Sequence, residues 1–449
     1  MHGRMFTRCS LLGLLGLTAQ AAADPPARHA FTLDNGLQVV VAEDRRAPVV
    51  TTHLLVKVGS SHEYPGQSGL SHALEHLLFR GSSKAAPGEF SQIIERLGGS
   101  DNAYTTRDYT VYHQTLPNDR LAVAIELNAD LLGGALLDEA EFQREIEGVK
   151  AERRQHVEGD ARALLYEQLQ AIAYPASSYH TPVIGWMSDL ERMSNDELKA
   201  WYRSRYAPNN ATLIIVGDVR PDEVKTQVEH YFARLIRRDL PGSKRPLQSA
   251  AAGQRQVTVY NEFSTPKLFM GFNVPSYATA AHTADVDALR LIQAMLGHGM
   301  SARLNTRLVR EQGLLANPSA SYGPLARGDT LFEIEASVSA ANPQPLAALQ
   351  KAVWAELHAL KQNPPTTAEL ARAKALLLAD KTYAQDSLSG RADEIAATLG
   401  SGLPLAQPDS DASRLARVTP EQIQHVAHTY FNAERLTVAY MQAKEAHND

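Results

Sequence analysis

Hydrophobic and polar positions alternate with two different periods along this chain, and the switches between them mark its elements. Residues 31–41, FTLDNGLQVVV, place two strand-like runs around Asp34-Asn35-Gly36. Asn-Gly between alternating apolar residues is a strong short-range signal for a hairpin. Residues 51–59 (TTHLLVKVG) read as a further strand. A glycine-rich turn at 66–69 then leads into a helix that carries Leu70, Leu74, Leu77 and Leu78 on one face, with Ser68 or Ser71 placed to cap it. Helical periodicity returns at 89–97, 121–132 and 139–155, and Ala211–Gly217 (ATLIIVG) has the continuous apolar character of a buried strand.

Residues 237–254 are rich in Pro, Gly, Ser and charge and read as a linker. Beyond it, strands at 256–260 and 267–272 precede a long helical stretch at 283–296, which repeats the strand-then-helix plan of the first half. The expected fold is α+β. Two similar domains with mainly antiparallel sheets, residues 24–236 and 255–449, would be related by duplication and joined by the linker. A chain of 449 residues is long enough for two cores.

Composition narrows the function. With 44 Lys plus Arg against 50 Asp plus Glu, net charge gives no support to a nucleic-acid partner. Residues 1–23 differ from the rest: Arg4 and Arg8 come first, an apolar run from Leu11 to Leu17 follows, and Ala19-Gln20-Ala21-Ala22-Ala23 closes the segment. That is the pattern of a cleaved secretory signal peptide, and the run is too short to span a bilayer. Cys9 is the only cysteine and precedes the apolar run, which argues against lipid attachment. The rest of the chain has no thiol, so a metal site must be built from His and carboxylates. With no further long apolar stretch, the expectation is a protein without a membrane span, exported to the periplasm of a Gram-negative bacterium.

The chemistry is concentrated in one His-Ala-Leu-Glu-His run, His72 to His76. On a helix, residues four apart share a face, so the two imidazoles can converge on one ion, with Glu75 beside them to act on a water. Catalytic zinc takes three protein ligands and keeps a position open. A third ligand is therefore required, and it must be His, Asp or Glu. Two histidines one turn apart also occur on solvated faces, so these five residues alone leave the matter open.

The surroundings carry more. GLSHALEHLLFRGSS resembles the active-site helix of the pitrilysin/insulinase family, which includes the mitochondrial processing peptidases. The opening hairpin, VKVGSSHEYPGQSG, GGSDNAYTTRDYTVYH, YAPNNATLIIVGD and GHGMSARLNTRLVREQGL resemble further stretches of that family. The resemblance implies a zinc endopeptidase with one zinc per chain and two like domains forming half of a clamshell chamber. It implies Glu152, in EFQREIEGVKAERRQ, as the third ligand after His72 and His76, Glu145 as a supporting carboxylate, and Glu75 as general base. Asn102, Ala103 and Thr105 would present a strand edge to extended or unfolded peptides, and Arg310 would bind substrate from the second domain. The family's tyrosine seven positions after that arginine is replaced by Asn317, and Tyr322 lies too far along to stand for it. In two-subunit members a metal-free relative supplies the Arg/Tyr pair. The implied partner is therefore such a paralogous subunit in a heterodimer, with a homodimer as the rival. The alternative function is a non-catalytic peptide-binding or assembly subunit of the same fold.

Overall fold

The computed structural model describes residues 28–248, 253–261 and 265–443. The signal-peptide expectation for residues 1–23, with Cys9, lies outside the described residues.

The first half forms a six-stranded sheet from β1 (Arg28–Thr32), β2 (Gln38–Glu43), β3 (Val49–Val56), β4 (Ser100–Thr105), β5 (Thr110–Pro117) and β6 (Ala211–Gly217), in the order β1-β2-β6-β3-β5-β4. The second half forms a five-stranded sheet from β7 (Arg255–Asn261), β8 (Lys267–Val274), β9 (Leu315–Tyr322), β10 (Thr330–Val338) and β11 (Leu436–Ala443), in the order β7-β11-β8-β10-β9. Without the hairpin strand β1, the two orders are the same. In each half the last strand inserts between the first two and runs parallel to the first, while the other pairings are antiparallel. The duplication suggested by the sequence pattern is therefore a duplication of topology.

Helices cover the sheets because each strand alternates two apolar faces. On the first sheet, α1 (Leu70–Leu78), α2 (Glu89–Arg96), α3 (Leu121–Gly133) and α4 (Glu139–Arg153) enclose one core with Leu54, Val56 and Tyr112. The opposite face, which carries Val40, Leu55, Val111 and Ile214, is covered by a helix from the second half, Leu388–Gly400, through Ala392, Ile395 and Ala396. The exchange is reciprocal. Helix α5 (Ala161–Ala173), from the first half, lays Leu165, Leu169 and Ala173 on Phe269, Leu331 and Met441 of the second sheet. Each half thus completes the other's sandwich. Among the described residues no helix is long and apolar enough to cross a membrane.

Candidate active site

Helix α1 is held by its apolar stripe. Leu70, Leu74, Leu77 and Leu78 are each at most 3% exposed, and such burial contributes about 1.5–3 kcal/mol per leucine. Neither Ser68 nor Ser71 caps the helix. Its N-cap is Gly69 at φ 89°, where a Cβ would stand 2.8 Å from the Ile184 carbonyl oxygen, so only glycine fits. The orphan amides of the first turn go instead to Glu63: the Gly69 N–H donates to Oε2 at 2.8 Å and the Ser71 N–H to Oε1 at 2.7 Å. Ser68 is used elsewhere, donating to Asp189 Oδ2 at 2.6 Å. A distant carboxylate did what a local serine was expected to do.

Burial holds the Glu63 carboxyl up at about 7, against its ordinary 4.5, with the two amide bonds working in the other direction. The folded chain thus keeps a proton that the unfolded chain releases near 4.5. The stability this group contributes is present below that pH and is lost as pH rises through about 7. Glu63→Gln, which cannot titrate, is expected to flatten that part of the urea-midpoint profile. Identical slopes in the two proteins would show that Glu63 does not titrate in this range.

The repeat of α1 places His72 and His76 one turn apart, with ring centroids 4.8 Å apart and planes at 69°. Facing them is α4, which buries Phe142, Ile146, Val149 and Arg153 as a stripe and so turns Glu145 and Glu152, seven apart, toward α1. Glu152 Oε2 lies 3.8 Å from His72 Nε2 and 3.5 Å from His76 Nε2. One ligand atom from each of these three side chains falls within 4.8 Å of the others. Two imidazole nitrogens and a carboxylate oxygen at this spacing form a donor set suited to zinc. Glu145 Oε2 stands 3.5 Å from the other nitrogen of His76, Nδ1, and its Oε1 is 2.7 Å from Arg80 Nε. Glu145 therefore stands behind His76, on the side away from Glu152, and is itself paired with Arg80.

Electrostatics follow from burial and neighbours. Burial and then His76 drive the His72 imidazole down to about 4, leaving it neutral with a lone pair available. Burial also acts to lower His76, but the Glu145 and Glu152 carboxylates beside it outweigh that and push it up to about 9. Glu75, 9% exposed, has its carboxyl raised by burial, and Thr105 Oγ1 donates to its Oε2 at 2.5 Å. The expected strand edge is in place as well: β4 is the last strand of its sheet. Asn102 and Ala103 line a cavity of about 400 Å³ together with Glu75, His76, Arg80 and Glu145. The Ala103 N–H donates to Asn102 Oδ1 at 2.8 Å.

Arg310 is not part of this assembly. It lies in the second half, in the helical segment Leu304–Glu311, and donates to Thr306 Oγ1 at 2.7 Å. Asn317 adopts φ 46° where two residues of β9, Asn317 and Pro318, oppose one of β10. Asn tolerates this left-handed bulge conformation far better than a bulky side chain does.

Sequence reasoning missed three supports of the site. Glu63 has no local cap spacing to reveal it. Arg80 follows His76 by one turn, a signal that was available. Arg153, next to Glu152, makes a buried two-point pair with Glu167 of α5 at 2.8 and 2.9 Å, which fixes the end of α4 where it widens into the π-helical turn Arg154–Glu158.

The order His-x-x-Glu-His on this two-sheet fold is that of the inverted zincins. Residues 38–185 match the family model described as insulinase (peptidase family M16), and residues 192–377 match the peptidase M16 inactive domain. The zinc protease PqqE of Helicobacter pylori is 33% identical over 372 residues, covering 81% of each chain. The beta subunit of the mitochondrial-processing peptidase of Bos taurus is 29% identical over 218 residues, 49% of this chain and 44% of that one. A crystal structure of a protease from Helicobacter pylori superposes with a TM-score of 0.87 at 29% identity, covering 93% of this chain and all of that one. The chain belongs to the M16 peptidase family.

Proposed function

We propose that this chain is a zinc-dependent endopeptidase that cleaves extended or unfolded peptides. The observation that carries the reading is the convergence of His72, His76 and Glu152 beside the buried, Thr105-bound Glu75. His72, His76 and Glu152 would hold the zinc, which would supply Lewis acidity toward water and the scissile carbonyl. Glu75 takes the proton from the attacking water and returns it to the leaving amine. The free edge of β4 pairs with the substrate backbone, which favours extended chains over particular side chains.

The chain works as the metal-bearing subunit of a heterodimer in the periplasm, the partner being a metal-free relative that supplies a tyrosine across the cleft. Two features support this: the bulged Asn317 where the resemblance calls for tyrosine, and the naming of the bovine relative as one subunit of its peptidase. The test is cleavage of an unstructured fluorogenic peptide by the isolated chain and by the complex purified from its cells, each with and without chelator. Chelator-sensitive cleavage restored by zinc is expected, and it should be stronger in the complex. Bound zinc with no cleavage in either preparation would mean a peptide-binding subunit, and full activity of a homodimer would remove the heterodimer.

A further inference from the structure

On the face of the first sheet away from the metal helices, polar side chains gather in an otherwise apolar layer. His53 of β3 is 1% exposed and sits directly opposite His113 of β5, with the rings stacked at 5.2 Å and 28°. Tyr104 of β4 reaches the same place, its ring centroid 6.2 Å from that of His113. Above them is Asp393, on the helix Leu388–Gly400 that the second half contributes. A single oxygen of Asp393, Oδ1, accepts from His53 Nε2 at 3.1 Å and from the Tyr104 hydroxyl at 3.0 Å. His53 Nδ1 is buried and has no hydrogen-bond partner, so the ring's one side-chain hydrogen bond is the one to Asp393.

Tyr104 lies between Ala103, which lines the cavity, and Thr105, which hydrogen-bonds Glu75. Strand side chains alternate faces, so Tyr104 points toward Asp393 while its two neighbours point toward the site. β4 has a hydrogen-bonded neighbour on one side only, β5. An edge strand with a single ladder is free to twist unless something holds it from above or below.

We infer that Asp393, acting through Tyr104, is a positioning residue by which the second half fixes the edge strand that receives the peptide. The inference rests on the reading of β4 as the substrate edge. It assigns a role to a helix that packing alone would treat as cover. The link joins the halves at the strand where backbone pairing with substrate takes place, so the set of the second half decides how well that edge is presented.

The test measures binding rather than turnover. Anisotropy of a labelled unstructured peptide is followed with Glu75→Gln protein loaded with zinc, with Asp393→Ala, Tyr104→Phe or both added. Each change is expected to weaken the Kd about tenfold, the size of one hydrogen bond to a charged group. The double variant should be no weaker than the worse single one, because both break the same link. Asp393→Asn keeps an acceptor at Oδ1 and should bind within about threefold of the parent, with zinc content unchanged in every variant. Kd values within twofold of the parent for both single variants, or additive losses in the double one, would overturn the proposal. Chelator-sensitive cleavage by the wild-type chain tests the peptidase reading separately, so failure of one is not failure of the other.

Discussion

Replacing Glu75 by Gln is expected to reduce kcat for peptide cleavage by about 10²–10⁴-fold and to leave zinc content unchanged. The substitution is close to isosteric, and a Gln oxygen can still accept from Thr105 Oγ1, which lies 2.5 Å from the present carboxylate. The side chain is 9% exposed and belongs to a helix whose leucines carry the packing, so the fold should not change. What disappears is the ability to take a proton from water and give it to the leaving amine. Glu75 is not among the three side chains whose ligand atoms converge, so metal affinity has no reason to fall. Steady-state kinetics on a fluorogenic peptide, with metal content measured on the same samples, decides the matter. Cleavage by Glu75→Gln at the wild-type rate would remove Glu75 as the base and with it the mechanism proposed here.

Much of this fold could be read from local pattern. The stretch 139–155 reads as one helix from its periodicity; the α-helix is Glu139–Arg153, and the chain goes on as a π-helical turn. The strand Ala211–Gly217 has the expected limits, and the Asp34-Asn35-Gly36 turn joins an antiparallel pair with Gly36 at φ 90°. Such features depend on residues a few positions apart. The exchange of helices between the halves could not be read in this way. Leu165, Leu169 and Ala173 fall on one face of α5, which tells that the helix buries that face but not which sheet receives it. The same holds for Ala392, Ile395 and Ala396. Only the three-dimensional arrangement shows that each sandwich is closed by the other half.

The candidate site divides along the same line. His72, Glu75 and His76 are legible because a helix fixes their relation, whereas Glu152 came from family resemblance. Its position is reached through the packing of α4 on α1, which no local pattern specifies. Glu63 lies six residues before Gly69, across an irregular segment, so no capping rule would select it. Thr105 lies on the edge strand, and its hydroxyl donates to Glu75, which ties that strand to the helix carrying the two histidines. Asn317 shows how a departure from a pattern acquires a physical reason: a bulge that needs a left-handed residue favours Asn over the expected tyrosine.

Glu152→Ala is expected to weaken zinc binding more than the 10–100-fold loss typical of removing a supporting partner, and Glu145→Ala to stay within that range. The difference follows from where the two carboxylates stand. Glu152 Oε2 faces the Nε2 atoms of both histidines, whereas Glu145 faces only Nδ1 of His76 and is shared with Arg80. The Glu152 side chain is 36% exposed and lies beside the buried stripe of α4, so its truncation costs little packing. Arg153 and Glu167 still fix the backbone at that point. The loss would therefore be one of ligand and not of helix, which circular dichroism can verify on the same samples. Competition titration with a zinc chelator gives the two affinities. The reverse order, stoichiometric zinc in Glu152→Ala and none in Glu145→Ala, would transfer the third ligand to Glu145, with His76 turned to offer Nδ1 to the metal.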